Sequence, residues 1–382
     1  MQIIYLDNAA TTPLDPDVLA VMEETGKIHF TNPSSIHTGG QQSRVLIENT
    51  RQVIANSIKA KSSEIVFTSG GTEGNNLAII GTALANQEKG KHIIVSRIEH
   101  PSVLEPCLYL KKLGFKISYL DVDECGRLNL EHLQNLITQE TILVSLMLVN
   151  NETGSILPIW DVADILKNKP VIFHTDAVQA LDKMEISVDE LQIDLMTMSA
   201  HKLFGPKGIG ALYIRSGTEI ESILFGGSQE SGRRAGTENS MGIVGFGKAI
   251  EKMAESSARR SYILSLRQFL EIELKKRIPG LLINAEKSDR IPHISNVYFP
   301  FMSGDSLLIN LDLLGIAVST GSACSAGSQK PSHVLSALGY EEQRVLNSIR
   351  FSLSKNSTKT DILRSVEAIS DIYKKNKKAS SL

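Results

Sequence analysis

The chain has 382 residues, of which 42% are hydrophobic and 21% are charged, and its formal net charge is −2. This length exceeds one ordinary domain, so we expect a large and a small domain. The near-zero charge excludes a general attraction to nucleic acid or to an anionic membrane, and no apolar run approaches the roughly 20 residues that span a bilayer.

Short apolar runs alternate with longer amphipathic segments between about residues 60 and 215. This alternation is typical of an α/β fold with a mostly parallel sheet flanked by helices. The predicted strands of the sheet cover residues 65–67, 92–95, 116–120, 141–147, 171–173, 195–198 and 211–214.

Two long amphipathic helices are predicted in the C-terminal part of the chain. The first carries one apolar face and ends at Pro279-Gly280; that face is formed by Ile263, Leu266, Leu270 and Leu274. The second carries another apolar face, formed by Ile362, Val366, Ile369 and Tyr373. We therefore expect a large domain at residues 15–255 and a small domain that combines residues 1–14 with residues 256–382.

Two of the predicted strands are followed by residues whose side chains can take part in catalysis. Asp176 and Gln179 follow the apolar run 171–173, and Lys202 follows the run 195–198. Open α/β sheets bind ligands at the C-terminal ends of their strands, so the acid and the lysine are expected at one edge. Enzymes that use pyridoxal 5'-phosphate need this pair. The lysine holds the cofactor's aldehyde as a Schiff base, and the carboxylate keeps the pyridine nitrogen protonated.

A turn at residues 69–72 predicts a phosphate site. The strand at 65–67 leads into Ser69-Gly70-Gly71-Thr72, and a helix can begin from Asn75 onward. Backbone N–H groups near Gly71 and the Thr72 hydroxyl suit a phosphate. No Gly-Lys-Ser/Thr follows, so this is not a Walker A loop. The alternative is a capped strand-to-helix turn without a ligand.

Three further polar residues are candidates, each with a structural alternative. His100 follows the strand at 92–95 and could stack on a ring and move protons, or it could be an ordinary satisfied histidine. Asn151 follows the strand at 141–147 and could face the same rim, or it could belong to a turn. Arg350 lies in a strand pattern and could grip a carboxylate through two hydrogen bonds, or it could form a structural ion pair.

Two loops complete the set of candidates. The glycine-rich segment 226–239 offers the Thr237 hydroxyl and two arginines to an anion, with a mobile surface loop as the alternative. Cys324 lies in a run of small residues, at about 319–331, which predicts a mobile loop with an accessible thiol nucleophile. Cys107 and Cys125 are predicted to be structural. The three scattered cysteines predict a reducing, cytoplasmic location. No metal-ligand spacing is present, so we expect no catalytic metal.

The ordered set of these motifs closely resembles the NifS/IscS-type cysteine desulfurases, in the class-V aminotransferase superfamily of PLP fold type I. The resemblance covers the chain apart from the last ten or so residues, and it includes the run Tyr5-Leu-Asp-Asn-Ala-Ala-Thr-Thr-Pro13. It implies a seven-stranded, mostly parallel sheet in the large domain and a smaller α+β C-terminal domain. The form Ser-x-Gly-Ser-Ala-Cys, ending at Cys324, resembles the branch with a mobile cysteine loop.

The resemblance also implies roles for individual residues. Lys202 would bond the cofactor, His100 would stack on its ring and move protons, and Cys324 would attack the sulfur of L-cysteine, leaving a persulfide and L-alanine. The other residues implied to contact the cofactor are Asp176 at the pyridine nitrogen, Gln179 at the phenolic oxygen, Asn151, and a phosphate set of Gly71, Thr72, Ser199, His201 and, from the neighbouring subunit, Thr237. The substrate carboxylate would be held by Asn151 and Arg350.

Partners follow from the same resemblance. It implies a homodimer with shared sites, and sulfur-acceptor proteins that serve iron–sulfur cluster assembly or tRNA thiolation, with no direct contact to nucleic acid or membrane. The chain stops soon after the helix near Tyr373, which leaves docking of an iron–sulfur scaffold open. The alternatives are a selenocysteine lyase, an aminotransferase-like enzyme that would not need Cys324, and a non-catalytic sulfur-relay protein. The joint presence of Lys202, Asp176, His100 and Cys324 argues against the last.

Overall fold

The computed structural model describes residues 3–300, 302–321 and 331–379, and Cys324 lies outside these ranges. The strands are β1 (Ile4–Tyr5), β2 (Ile65–Thr68), β3 (His92–Ser96), β4 (Lys116–Leu120), β5 (Thr141–Ser145), β6 (Ile172–Asp176), β7 (Leu195–Ser199), β8 (Gly210–Ile214), β9 (Leu282–Ile283), β10 (Ile294–Tyr298), β11 (Ile316–Ala317) and β12 (Ser348–Ser352). The α-helices are α1 (Pro16–Ile28), α2 (Thr38–Ser57), α3 (Gly71–Asn76), α4 (Thr82–Ala85), α5 (Pro101–Lys112), α6 (Leu130–Leu136), α7 (Ile159–Leu166), α8 (Ser240–Glu251), α9 (Ser256–Arg277), α10 (Gly304–Leu313), α11 (His333–Ala337), α12 (Glu342–Leu346) and α13 (Lys359–Ala379).

The central sheet has seven strands in the order β2-β8-β7-β6-β5-β3-β4. Strands β3 to β7 pair in parallel, whereas β8 runs antiparallel to both β7 and β2. Each of the seven predicted strands is present, so the predicted α/β class with a mostly parallel sheet is confirmed. Because β2, β3, β5, β6 and β7 point the same way, their C-terminal ends lie at one edge of the sheet.

A second apolar core lies in the C-terminal part of the chain. The predicted face of α9 is buried against the strands β10 and β12, and three of the four predicted residues of α13 are fully buried, at 0% exposure. Each such buried side chain stabilises the fold by about 1.5–3 kcal/mol. Both predicted helices are thus confirmed. None of the described helices combines the length and the apolar character that crossing a membrane requires.

The N-terminal residues join this second core and then reach the edge of the central sheet. Strand β1 pairs in parallel with β11, and Leu6 O accepts a hydrogen bond of 2.7 Å from Ser352 N. The Thr12 hydroxyl donates to His201 O at 2.9 Å. Residues 7–12 therefore lie across the C-terminal ends of the central strands. The predicted division of the chain after residues 14 and 255 stays a prediction.

Candidate active site

A pocket of about 320 Å³ opens at the edge where the parallel strands end. Ten of the residues predicted from the sequence line it: Gly71, Thr72, His100, Asn151, Asp176, Gln179, Ser199, His201, Lys202 and Arg350. Thr237 does not line this pocket and is exposed on the surface. The central strands bring most of these residues together, because Ser199 and Asp176 end β7 and β6, and His100 and Gly71 follow β3 and β2 within a few residues; Arg350 comes from β12, in another sheet.

Lys202 stands in a single 3₁₀ turn directly after β7. Its Nζ donates hydrogen bonds to Ala9 O at 2.6 Å and to Ala10 O at 2.8 Å. Both alanines also line the pocket, so the N-terminal segment holds the amine at the pocket wall. The two alanine carbonyls were not predicted, because nothing in the sequence shows that residues 7–12 lie over this edge.

Asp176 is fixed by hydrogen bonds to both of its oxygens. Oδ1 accepts from Val178 N at 2.9 Å, and Oδ2 accepts from Asn75 Nδ2 at 2.7 Å. The same Asn75 amide donates to Ser102 Oγ at 2.8 Å. Donors on both sides set the direction in which the carboxylate faces the pocket. Asn75 was missed by the sequence reasoning, although it stands one helical turn after Thr72 and therefore shares its face.

His100 caps the N-terminus of α5. Its Nδ1 accepts a hydrogen bond from Ser102 N at 3.1 Å and lies 2.7 Å from Ser102 Oγ. With Nδ1 as the acceptor, Nε2 carries the proton of the neutral ring. Burial lowers the pKa of His100, while Asp176 acts in the opposite direction and Lys202 and His333 reinforce the lowering. The ring is therefore neutral near pH 7.

The start of α3 forms a close turn beside β6 and β7. The helix begins at Gly71, so the prediction that it starts from Asn75 onward is wrong. Gly70 has φ +152°, and a Cβ on Gly71 would lie only 2.8 Å from Val178 Cγ2. The φ of Gly70 is one that glycine adopts readily, and the absence of a side chain at Gly71 lets the helix start approach the strand ends closely.

Two side chains beside this turn bear on what it can bind. The Ser199 hydroxyl is buried and has no hydrogen-bond partner among the described residues. His201 Nδ1 lies 3.1 Å from Thr11 Oγ1, and burial, with Lys202 and Lys207 nearby, lowers the pKa of His201 to about 4. A neutral histidine, an unpaired hydroxyl and the backbone amides of a helix start are a donor set that suits a phosphate.

Arg350 lies in the middle of β12 and is buried. Its Nη1 donates to Asn151 O at 2.9 Å, and its Nη2 pairs with Asp7 Oδ1 at 2.9 Å. Its Nε is buried and has no hydrogen-bond partner among the described residues. The residue thus forms the ion pair that was one of its two predicted roles, and it retains donor capacity beside the pocket for a carboxylate.

The two cysteines within the described ranges are both buried and free. Burial raises the pKa of the Cys107 thiol to about 12, so this thiol is not reactive at neutral pH. This agrees with the structural roles predicted for Cys107 and Cys125. Across the described residues, no three His, Cys, Asp or Glu side chains are grouped in a way that could hold a metal ion.

A larger cleft, of about 670 Å³, lies between α2 and residues 228–238. An ion pair crosses it: Arg51 Nη1 lies 2.6 Å from Glu230 Oε2, which also accepts a hydrogen bond from Phe67 N at 2.8 Å. Glu230 adopts φ +46°, which is unusual for a residue other than glycine. The cleft therefore marks where the segment that carries Thr237 is anchored, and it contains none of the predicted catalytic groups.

Comparisons with known proteins agree with this geometry. The family model for aminotransferase class-V matches residues 4–364. The cysteine desulfurase IscS of Dictyoglomus turgidum is 48% identical over 373 residues, which cover 97% of this chain and 95% of that protein. The cysteine desulfurase IscS of Clostridium botulinum is 44% identical over 382 residues, which cover 99% of this chain and 96% of that protein.

Solved structures agree as well. A structure described as a NifS-like protein superposes with a TM-score of 0.92 at 36% identity, covering 98% of this chain and 100% of that chain. Sequence and structure are therefore matched over nearly the full length, and the match includes every strand that builds the pocket. The chain belongs to the class-V aminotransferase family and, within it, to the cysteine desulfurases.

Proposed function

We propose that the 320 Å³ pocket holds pyridoxal 5'-phosphate and L-cysteine, and that Cys324 receives the substrate's sulfur. The observation that carries this proposal is the convergence of the Lys202 amine, the Asp176 carboxylate and the His100 imidazole on one pocket from the ends of three strands. The family's members depend on this cofactor. An amine, a carboxylate and an imidazole are also the groups that its chemistry requires.

The residues present fit the cofactor. The unpaired Ser199 hydroxyl and the side-chain-free approach at Gly71 leave donors and space for a phosphate. The Asp176 carboxylate, fixed by Asn75, suits a protonated ring nitrogen. When bound, the cofactor supplies an electron-poor ring that stabilises negative charge at the substrate's Cα.

In this proposal the chain's own residues have separate tasks. Lys202 bonds the cofactor's aldehyde carbon, and His100 exchanges a proton through Nε2. Arg350 binds the substrate carboxylate through its guanidinium. The remaining cofactor contacts are assigned to Gly71, Thr72, Asn151, Asp176, Gln179, Ser199 and His201, with Thr237 supplied by a second subunit.

The transfer of sulfur conserves atoms and electrons and needs no further reactant. The Cys324 thiolate attacks the substrate sulfur, a sulfur–sulfur bond forms, and the Cβ–sulfur bond breaks with its electron pair left on the carbon skeleton. Proton return then gives L-alanine, so L-cysteine and one thiol yield L-alanine and one persulfide. The persulfide passes to acceptor proteins for iron–sulfur cluster assembly or tRNA thiolation. The free thiols Cys107 and Cys125 favour a reducing, cytoplasmic setting.

The products distinguish this reaction from its rivals. Purified protein loaded with the cofactor should release L-alanine and, with a thiol reductant, an equal amount of sulfide. An aminotransferase would instead need a 2-oxo acid and leave no sulfide. Release of pyruvate and ammonia in place of alanine would contradict the proposal.

The pH dependence of kcat reports on His100. Because burial lowers its pKa below the ordinary value of 6.5, the neutral form persists to more acidic pH. We expect the midpoint of the acidic decline in kcat to lie below pH 6.5. A midpoint at or above pH 6.5 in wild-type protein, in a decline that disappears in His100→Asn, would contradict the lowered pKa.

Substitution of Arg350 separates binding from chemistry. Lysine keeps the charge but loses the planar set of donors, so Arg350→Lys should raise KM for L-cysteine by about 10- to 100-fold, as expected for lost hydrogen bonds to a charged group. The effect on kcat should be smaller. Steady-state kinetics measures both, and an unchanged KM would remove Arg350 from substrate binding.

Surface features support a homodimer. Phe30, Ile36 and Phe225 are 77%, 92% and 87% exposed. Covering large exposed apolar side chains with another chain is favourable because it removes apolar area from water. Thr237 lies outside the pocket of its own chain, on the segment anchored by Glu230. A second copy of the chain would both cover the apolar side chains and bring Thr237 to the partner's pocket.

Mixed dimers test this arrangement. Lys202→Ala and Thr237→Glu should each be inactive as homodimers. If Thr237 acts on the partner's pocket, a mixed dimer contains one site with both changes and one site with neither. An equal mixture that exchanges subunits should then recover about a quarter of wild-type activity. If Thr237 acted within its own chain, every mixed site would carry one change and no activity would return.

A further inference from the structure

Glu152 is a buried acid that the tasks above leave unused. It follows Asn151 in the chain and is 3% exposed. The Ser332 hydroxyl donates a hydrogen bond to Glu152 Oε2 at 2.5 Å. The same oxygen lies against Gly321, where a Cβ would come within 2.7 Å of it. One carboxyl group thus contacts two residues that are eleven positions apart in sequence (332 − 321 = 11).

Gly321 and Ser332 lie on either side of Cys324 in the chain. Gly321 is three positions before the cysteine, lines the pocket, and has φ +83°, a conformation that favours glycine. Ser332 caps α11 by accepting a hydrogen bond from Leu335 N at 3.1 Å. A substitution at either position would disturb these contacts. A side chain at 321 would meet the Glu152 carboxyl, and loss of the Ser332 hydroxyl would remove both a cap and a partner of Glu152.

The contacts of Glu152 are continuous with the pocket. Its backbone N–H donates to Asn150 Oδ1 at 2.9 Å, and its carbonyl accepts from Asn296 Nδ2 at 3.2 Å. The preceding residue, Asn151, accepts from Arg350 through its carbonyl, and Arg350 exchanges backbone hydrogen bonds with Ser319. The carboxyl group therefore projects from a backbone that is fixed to the same strand that carries Arg350.

A second contact ties this region to the general acid–base residue. His333, which follows Ser332, places Nε2 at 2.9 Å from Glu99 O, next to His100. The start of α11 is thus held at two points, one beside Arg350 and one beside His100. The segment that begins at Ser332 is therefore in contact with residues on both sides of the pocket.

A buried carboxyl group at this position lowers the stability of the fold unless its contacts offset the cost of burial. Burial raises the pKa of Glu152, while His333 and Arg350, the charged or titratable groups that face it, act in the opposite direction. Burying a carboxyl group costs free energy unless hydrogen bonds offset it, and apolar residues of similar size are often at least as stabilising. Glu152 contacts one residue before Cys324 in the chain and one after it, and these two contacts indicate a role in function in addition to stability.

We propose that Glu152 is a positioning residue for sulfur transfer: its hydrogen bond from Ser332 and its close packing against Gly321 fix one residue on each side of Cys324 in the chain. In general, a loop whose two ends are fixed has fewer conformations than one whose ends are free. The sulfur step needs the thiol close to the substrate sulfur, and small displacements of reacting groups are costly to rate. The inference rests on the proposed role of Cys324.

The test uses the cofactor-loaded enzyme and four variants. Glu152→Leu removes the hydrogen bond at similar size, Glu152→Gln retains an acceptor, and Ser332→Ala removes the partner. Thr153→Val is the matched control, because Thr153 is buried in the same turn but bonds only Asn150 and Ser155. Three quantities are measured: the spectral change on adding L-cysteine, KM, and the rate of persulfide formation in a single turnover.

We expect Glu152→Leu and Ser332→Ala to form persulfide about 10- to 100-fold more slowly, with the spectral change and KM within about threefold of wild type. Glu152→Gln should recover most of the rate, and Thr153→Val should match wild type. A wild-type rate of persulfide formation in Glu152→Leu would overturn the inference, as would an equal loss in Thr153→Val. If Glu152→Leu does not fold, the rate of persulfide formation in Ser332→Ala is the test, and a wild-type rate in that variant would overturn the inference.

A Cys324→Ser reference keeps this inference separate from the proposed function. If that variant still forms persulfide, the assigned role of Cys324 fails, whatever the Glu152 variants do. If it forms none while Glu152→Leu matches wild type, only the positioning role fails. Gly321→Ala gives an independent check, because its new methyl group should displace the carboxyl and slow the same step.

Discussion

Replacing Lys202 by alanine should abolish both the visible absorbance of the bound cofactor and the turnover of L-cysteine. Lys202 is the lysine that lines the pocket, and its amine is held there by the carbonyls of Ala9 and Ala10. Without an amine to bond the aldehyde, we expect a fall in kcat of about a thousandfold or more, the scale seen when the group that forms the covalent bond is lost. Absorbance spectra and alanine release measure the two effects.

Lys207 provides the matched control for this substitution. It is exposed, follows Lys202 by five positions (207 − 202 = 5) and lies near His201, but it does not line the 320 Å³ pocket. At a saturating concentration of the cofactor, Lys207→Ala should keep the absorbance and the turnover. A Lys202→Ala protein that still forms a borohydride-reducible adduct at full occupancy would show that another lysine holds the cofactor.

Replacing Cys324 by serine should have a comparable effect on turnover but none on cofactor binding. A serine hydroxyl is a far weaker nucleophile towards sulfur than a thiolate, so sulfur transfer should fall by at least about a hundredfold. Lys202 and Arg350 remain, so the spectrum should still change when L-cysteine is added. Cys125→Ser, at a buried thiol, should retain activity. Undiminished alanine production by Cys324→Ser would favour a lyase that uses no cysteine relay.

Much of the fold could be predicted because local pattern and tertiary structure agree. Apart from the partly exposed edge strand β4, the strands of the central sheet are short, mostly apolar runs that are buried on both faces, so their composition identifies them. His100, Asp176 and Lys202 were equally visible, since each follows or ends such a run. Parallel strands place these residues at one edge without any further information.

The start of α3 could not be predicted, for a physical reason. Its sequence, Gly-Thr-Glu-Gly-Asn-Asn, has low helix propensity. The helix forms because glycines at 71 and 74 allow close contact with Val178 and Thr197, where a Cβ at either position would come within 2.8 Å of a side-chain atom. The Glu73 carboxylate also accepts a hydrogen bond from Ser69 N at 2.8 Å. Tertiary contacts of this kind leave no periodic signal in the sequence.

The contribution of the N-terminal residues to the site could not be predicted from the sequence, for a similar reason. Ala9 and Ala10 reach the pocket, and Asp7 reaches Arg350, because β1 pairs with β11, more than 300 residues later. Thr237 illustrates the opposite case: its motif is visible in the sequence, but its own chain does not bring it to the pocket. In the proposed homodimer, the position of Thr237 relative to the pocket is set by the assembly and not by the fold of one copy.

Mapping the sulfur atom on the wild-type protein tests the central claim most directly. The cofactor-loaded protein is incubated with L-cysteine, its thiols are trapped by alkylation, and the digested peptides are weighed by mass spectrometry. The account predicts one additional sulfur on the peptide that contains Cys324, removable by a reductant and formed in step with alanine. Additional sulfur on Cys107 or Cys125, or alanine release with no sulfur on any cysteine, would contradict it.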